Sequence, residues 1–288
     1  MGDADDTNDT NDTNDTASDA PDVQLDAVEE AAVWLELNGS PAVTWMCTPE
    51  RLDELVVGWL FGEGYIDTQA EIVRMRPCTS ELGFWVEVPR DKYDAVERAE
   101  RRRVLASGCG AVTTILGSMS DVPRRRSPNP DLDTPTLRKL FKELFARGER
   151  YKDTGGIHAA ALTDGQTLLY HAEDIGRHNA VDKVLGAAVL DDRSPEDLIL
   201  LVTGRISGEL AFKAARARIS AVATPSIPST IAVDIAKAAR MMLIGRAVSG
   251  HPQLHHRESA GAREQRADGN RESEQQERGT GNREPELR

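Results

Sequence analysis

Lysine, cysteine and long apolar runs are all scarce in this chain, and each scarcity excludes something. Lys92, Lys139, Lys142, Lys152, Lys183, Lys213 and Lys237 are its only lysines among 35 basic residues, so arginine supplies most of the positive charge. The cysteines, Cys47, Cys78 and Cys109, are odd in number and far apart, unlike the framework of a secreted disulfide scaffold. No run approaches the ~18 apolar residues of a membrane span. The N-terminus lacks the basic and apolar regions of a signal peptide, so a cytoplasmic protein without membrane contact is expected. Neither a Walker A sequence nor a Gly-x-Gly-x-x-Gly fingerprint occurs. The basic clusters at 101–103 and 124–126 are short and without interleaved aromatics, which argues against nucleic acid as a partner.

What is present falls into five stretches. Residues 1–22 repeat Thr-Asn-Asp, carry only aspartate as charge, and read as a disordered acidic tail. Residues 252–288 are Arg, Glu, Gln and Gly with few apolar positions, and read as a second tail. Between them, 23–117 is expected as a smaller β-rich domain, 118–133 as a connector and 134–251 as an α/β domain. The net charge of −13 comes largely from the first tail and says little about the folded surface.

Apolar runs at 31–37 and 42–46, separated by Asn38-Gly39-Ser40-Pro41, predict a hairpin. Thr48 and Pro49 predict the start of a helix carrying Leu52, Leu55, Val56, Trp59 and Leu60, ended by Gly62 and Gly64. Short strands are expected at 72–75 and 83–88, and a charged helix at 93–102. Thr134-Pro135 opens a helix with Leu137, Leu140, Phe141, Leu144 and Phe145 on one face. A hairpin across Asp164-Gly165 follows, then helices at 179–190, 209–218 and 230–240 alternating with strands at 198–202, 221–223 and 241–244. That alternation predicts a layered α/β domain, α+β for the chain as a whole, with sites at the loops beyond its strand ends.

Chemistry-bearing residues gather in four places. Arg101-Arg102-Arg103-Val104-Leu105-Ala106-Ser107-Gly108-Cys109-Gly110 sets a glycine-flanked cysteine just after three arginines, whose charge would favour the nucleophilic thiolate if they face it. Thr154-Gly155-Gly156-Ile157-His158 is a polar loop. Glu173-Asp174-Ile175-Gly176-Arg177-His178-Asn179-Ala180-Val181-Asp182-Lys183 and Thr203-Gly204-Arg205-Ile206-Ser207-Gly208-Glu209 lead into helix N-termini, where free N–H groups favour anions. Arg177 and Arg205 are candidates to clamp a phosphate or carboxylate. The bland alternative for these loops is a capped helix with Asp174 or Asp182 paired to Arg177. His158 and His178, taken singly, are more often hydrogen-bonding fixtures than catalysts. His171-Ala172-Glu173 matches half of the zinc deaminase signature, but all three cysteines lie upstream and no Pro-Cys-x-x-Cys occurs.

The loops at 173–183 and 203–209, together with the Gly-Cys-Gly stretch, resemble the formate dehydrogenase accessory sulfurtransferase family, FdhD. Thr48-Pro49 through Leu60-Phe61-Gly62-Glu63-Gly64, Gly155-Gly156-Ile157-His158-Ala159-Ala160 and the 228–244 segment agree as well. The resemblance implies a sulfur carrier with Cys109 as its persulfide cysteine. Sulfur would come from a cysteine desulfurase and pass to the molybdenum or tungsten of a bis(molybdopterin guanine dinucleotide) client, which is then inserted into formate dehydrogenase. It also implies a cytidine-deaminase-like C-terminal domain, a homodimer and no resident metal. The family's guanine-dinucleotide stretch falls on Arg246, Ala247, Val248, Ser249, Gly250 and His251, with Arg177, His178 and Arg205 as further binding candidates. Two departures stand out: Val112 occupies the place of a second loop cysteine, and Arg246 that of an aromatic residue. The alternatives are a cofactor-binding chaperone without sulfur chemistry and, third, a deaminase.

Acid excess with few lysines suits a salt-rich cytoplasm, and we state this as a hypothesis. Its expected outcome is a thermal midpoint that rises in molar potassium chloride; equal stability with and without the salt would refute it.

Overall fold

The computed structural model describes residues 27–98, 102–105, 112–115, 119, 122–125, 127–150 and 155–257. Strand β1 (Ala31–Leu37) turns Val33, Leu35 and Leu37 inward and leaves Trp34 and Glu36 on its other face. Asn38 and Gly39 both take positive φ, at 51° and 82°, as the two-residue hairpin turn into β2 (Ser40–Cys47) requires. With β3 (Arg74–Pro77) and β4 (Gly83–Glu87) these form a four-stranded sheet of order β2-β1-β4-β3. β1 and β4 are parallel and the other pairs antiparallel. Helix α2 (Arg90–Arg98) is charged and mostly exposed. The antiparallel pair β5 (Arg102–Leu105) and β6 (Val112–Ile115) follows, with Leu105 opposite Val112.

The second sheet has six strands: β7 (His158–Thr163), β8 (Leu168–Asp174), β9 (Ile199–Val202), β10 (Ala221–Ala223), β11 (Met242–Gly245) and β12 (Gln253–His256). Their order is β12-β11-β10-β9-β7-β8, with β9, β10 and β11 parallel and the remaining pairs antiparallel. Strand periodicity of two splits its side chains between two cores. Ala159, Ala161, Ile199, Leu201, Met242 and Ile244 face Leu137, Leu140, Phe141 and Leu144 of α3 (Thr134–Arg147). Ala160, Leu162, Leu200, Val202, Val222 and Leu243 face α4 (Arg177–Leu190), α5 (Gly208–Arg216) and α6 (Thr230–Ala239). This second core runs on without interruption through α1 (Leu52–Glu63) to Val33, Leu35, Leu37 and Val86 of the four-stranded sheet.

α1 and α4 are each buried on almost every side, as helices inside a protein must be apolar or paired all round. Two glycines set their approach. A Cβ on Gly58 would lie 1.8 Å from the Asp182 carbonyl oxygen, and one on Gly186 would lie 1.9 Å from that of Glu54. Backbone meets backbone at this crossing, so no side chain fits on either helix.

The structure departs from the sequence expectation in several places. The charged helix expected at 93–102 is Arg90–Arg98, and Arg102 opens β5 instead. α1 starts at Leu52 behind Arg51, which sits in the left-handed region at φ 54°, rather than at a Thr48 cap. Thr48 cannot serve as that cap because its hydroxyl and backbone are engaged by the 174–183 loop. β12 lies within the stretch read as the C-terminal tail; as a four-residue edge strand with its first two residues exposed, it shows no apolar alternation to read. The connector is anchored: Arg125 is buried and bonds the Ser220 carbonyl and the Asp197 carboxylate.

Gly58→Ala and Gly186→Ala are each expected to destabilise the chain by ~3 kcal/mol or more, since overpacking here strikes backbone. Thermal unfolding measures it, and a midpoint within ~2 °C of the parent would contradict the close-approach argument.

Candidate functional site

One edge of the six-stranded sheet collects the sequence-predicted loops. β9, β10 and β11 are parallel, so their C-terminal ends share that edge. β7 and β8 alternate in direction, which brings the start of β7 at His158 and the end of β8 at Asp174 to the same place, paired with each other. Hydrogen bonds knit the loops together. The Ala159 N–H donates to Thr203 Oγ1 at 3.0 Å and the Thr224 hydroxyl to the Gly204 carbonyl at 2.7 Å. The Arg246 N–H reaches the Ser226 carbonyl at 2.7 Å, and the Ala247 N–H reaches Thr224 at 2.9 Å.

Helices α4, α5 and α6 all begin here. Ser207 caps α5 by accepting the Leu210 N–H, and Ser229 caps α6 by accepting that of Ala232. Each N-terminus carries roughly half a positive charge. Arg177, Arg205 and Arg246 add full ones: Arg177 is buried, while Arg205 and Arg246 are exposed. Arg246 holds the left-handed region at φ 49°, a strained conformation for a residue with a side chain. A Cβ on Gly204 would meet the His158 ring at 3.2 Å and Arg177 Cδ at 3.3 Å, so the chain passes tightly between these two side chains. Of the remaining stretch, Ala247 is buried, and Val248, Gly250 and His251 are exposed. The Ser249 carbonyl accepts a bond from Arg138 of α3 at 2.9 Å. Three arginines and three helix N-termini give this edge the positive charge that an anion would meet.

His178 lies just behind it. Its Nε2 is 3.1 Å from Ser207 Oγ and 3.3 Å from Glu209 Oε2, and its side chain is 4% exposed. Burial, reinforced by Lys213, Arg177 and His158, pushes its pKa down to about 3. His178 is therefore a neutral imidazole at physiological pH. His158 is also held below its usual value, first by burial and then by Arg177.

Most of the remaining charge in the second loop points away from the edge. Asp174 pairs with Lys183 at 2.6 Å with both side chains 0% exposed. Lys183 also donates to the Thr48 carbonyl at 2.9 Å, and the Thr48 N–H donates to Asp174 at 3.2 Å. Asn179 bonds both Asp174 and the Met46 carbonyl. Asp182 pairs with Lys213 of α5 at 2.5 Å; burial pushes its pKa up to about 6, against the pull of Lys213. The expected pairing of Asp174 or Asp182 with Arg177 is thus replaced by Lys183 and Lys213. The sequence reading passed over these lysines because neither stands beside its partner in the chain.

The cysteines separate clearly. Cys47 is fully buried, and desolvation with the nearby Asp174 charge pushes its thiol up to about 12. Cys78 lies in the β3–β4 turn, its sulfur 3.3 Å from Ser80 Oγ. Cys109 falls in the residues 106–111 between β5 and β6 and lies outside the described residues. Val112 is the first residue of β6, and β6 lies alongside α5. His171-Ala172-Glu173 is strand β8, where the Glu173 carboxylate accepts the Arg150 N–H and the His171 carbonyl accepts from Arg51.

The model of the FdhD/NarQ family matches residues 28–260. The sulfur carrier protein FdhD of Bacillus subtilis (strain 168) is 36% identical over 228 residues, covering 76% of this chain and 83% of that protein. The sulfur carrier protein FdhD of Staphylococcus aureus (strain MRSA252) is 32% identical over 219 residues, covering 76% and 82%. A crystal structure of a protein described as a formate dehydrogenase accessory protein, from Desulfotalea psychrophila, superposes with a TM-score of 0.61. It is 24% identical and covers 79% of this chain and 87% of its own.

A buried neutral histidine ties stability to pH. The unfolded value near 6.5 exceeds the folded value of about 3, so the stabilisation from His178 is complete above pH 6.5 and is lost as pH falls toward 3. Between those limits, the stability difference between the parent and His178→Gln is expected to shrink by ~1 kcal/mol per pH unit. Denaturant titrations at pH 7, 6, 5 and 4 measure it; a constant difference would contradict the buried neutral assignment.

Proposed function

The chain belongs to the FdhD/NarQ family, and from that premise we propose that it is a sulfur carrier required for formate dehydrogenase activity. The observation that carries the reading is the convergence of Arg177, Arg205, Arg246 and three helix N-termini at one sheet edge, next to the stretch 246–251. In this reading that edge takes the phosphates of a bis(molybdopterin guanine dinucleotide), a client that the protein holds and passes on. Arginine suits the task because its planar fork meets phosphate oxygens in pairs.

The sulfur itself belongs to Cys109. Its thiolate takes the outer sulfur of a desulfurase persulfide, releasing the desulfurase thiolate and leaving a persulfide on Cys109. That sulfane sulfur then passes to the metal of the held client, which gives the two electrons that make it sulfide as the Cys109 thiolate leaves, and the client goes on to formate dehydrogenase. Burial of Cys47 supports the choice of Cys109, since a thiol pushed up to about 12 supplies almost no nucleophile at neutral pH. With Val112 in β6, the relay uses one loop sulfur instead of two. The same reading includes a homodimer and a cytidine-deaminase-like C-terminal half, in a cytoplasmic protein.

Incubation of the full chain with a cysteine desulfurase and labelled cysteine tests this. Label is expected on the parent and on Cys47→Ala and Cys78→Ala, and is expected to be lost in Cys109→Ala together with complementation of a deletion strain. Retained formate dehydrogenase activity with Cys109→Ala would overturn the reading. Client binding without any label would point to a cofactor chaperone instead.

A further inference from the structure

Beside this sheet edge, the buried carboxylate of Glu209 has no lysine or arginine partner among the described residues. Asp174 is fully engaged: it accepts from Lys183, from the Thr48 and Gly176 N–H groups and from Asn179. Glu209 is different. It stands in the first turn of α5 with its side chain 8% exposed, and its recorded neighbour is His178 Nε2 at 3.3 Å. Ser207 Oγ, also near that nitrogen, already accepts the Leu210 N–H. Glu209 Oε2 is buried and has no hydrogen-bond partner among the described residues, and the neutral His178 beside it adds no opposite charge. The α5 N-terminus stabilises the carboxylate where it stands.

A negative group within a site for phosphates works against the phosphates, unless it serves another part of the ligand. A carboxylate offers two acceptors side by side and matches a pair of parallel N–H donors. The 2-amino-4-oxopyrimidine edge presents such a pair, a ring N–H next to an exocyclic NH2. Guanine and pterin share that edge; hypoxanthine lacks the amino group, xanthine replaces it with an acceptor, and adenine presents a different pattern.

We infer that Glu209, in the first turn of α5, reads the 2-amino-4-oxopyrimidine edge of the ligand whose phosphates lie on Arg177, Arg205 and Arg246. The inference rests on the dinucleotide reading of this edge. It adds the residue that selects the base, a buried carboxylate without a hydrogen-bond partner among the described residues. A site built around hydrogen bonds to a ligand N–H rejects analogues lacking it strongly, since the carboxylate is then left buried and unpaired.

Titration of the full chain with GDP, IDP, XDP and ADP tests it. On the unaltered protein GDP is expected to bind ~10- to 100-fold tighter than IDP, the worth of one hydrogen bond to a charged group. Glu209→Gln is expected to abolish that preference and to raise XDP to at least the level of GDP, because a carboxamide donates to the 2-oxo group. Loss of ordinary fold stability would move all four ligands together and would not invert their order. The nucleotide series on the unaltered protein stands even if the variant folds poorly. Equal binding of GDP and IDP by the parent, or an unchanged GDP preference in Glu209→Gln, would overturn the inference and leave the dinucleotide reading intact. Failure of the parent to bind any of the four would overturn both.

Discussion

The buried pair of Asp174 and Lys183 is the constraint on which the rest depends. Two opposite charges without solvent contact are costly to bury, and they persist only where hydrogen bonds satisfy the remaining valences. Here they do: the carboxylate is filled by two backbone N–H groups and an asparagine, and the ammonium by a carbonyl. Two of those partners, the Thr48 N–H and carbonyl, lie in the four-stranded half of the chain. The pair therefore works as a joint. It ties the end of β2 to the start of α4, and removal of one partner would strand the other charge in the core.

That joint explains a division of labour within one loop. Residues 173–183 are dense in polar side chains, which invites the reading that all of them touch a ligand. Asp174, Asn179, Asp182 and Lys183 instead hold elements together, toward β2 and toward α5. Arg177 and His178, between them, look to the sheet edge. The rigid part of the loop thus fixes the backbone from which the reactive part projects. The Gly58–Gly186 crossing does the same for α1 and α4, by bringing their backbones into contact.

Much of this was legible beforehand, for identifiable reasons. The apolar runs at 31–37 and 42–46 and the helical spacing of Leu137, Leu140, Phe141 and Leu144 appear as predicted, as a hairpin and as a helix that buries one face. The α/β alternation places its loops beyond strand ends, and the structure puts Arg177, His178, Arg205 and the 246–251 stretch there together. What escaped was pairing over distance. Lys213 lies 31 residues from Asp182, and Thr48 lies 126 from Asp174, so neither partner leaves a mark in the local pattern. Thr48 was misread as a cap for the same reason: its local sequence favours capping, and tertiary hydrogen bonds outbid it. Glu209 was quoted in its loop but given no role, since an acidic residue in a first helical turn is unremarkable until its burial is known.

The sequence by itself determined most element types and carried the family likeness, because periodicity, turn chemistry and the loop motifs are written in consecutive positions. Tertiary structure alone decided which charges are paired inside the core and which stand at the sheet edge. Burial and distance make that distinction: an aspartate closed against a lysine at 2.6 Å and a glutamate closed against a neutral histidine at 3.3 Å read alike as letters. In three dimensions the first is satisfied, and the second has no hydrogen-bond partner among the described residues.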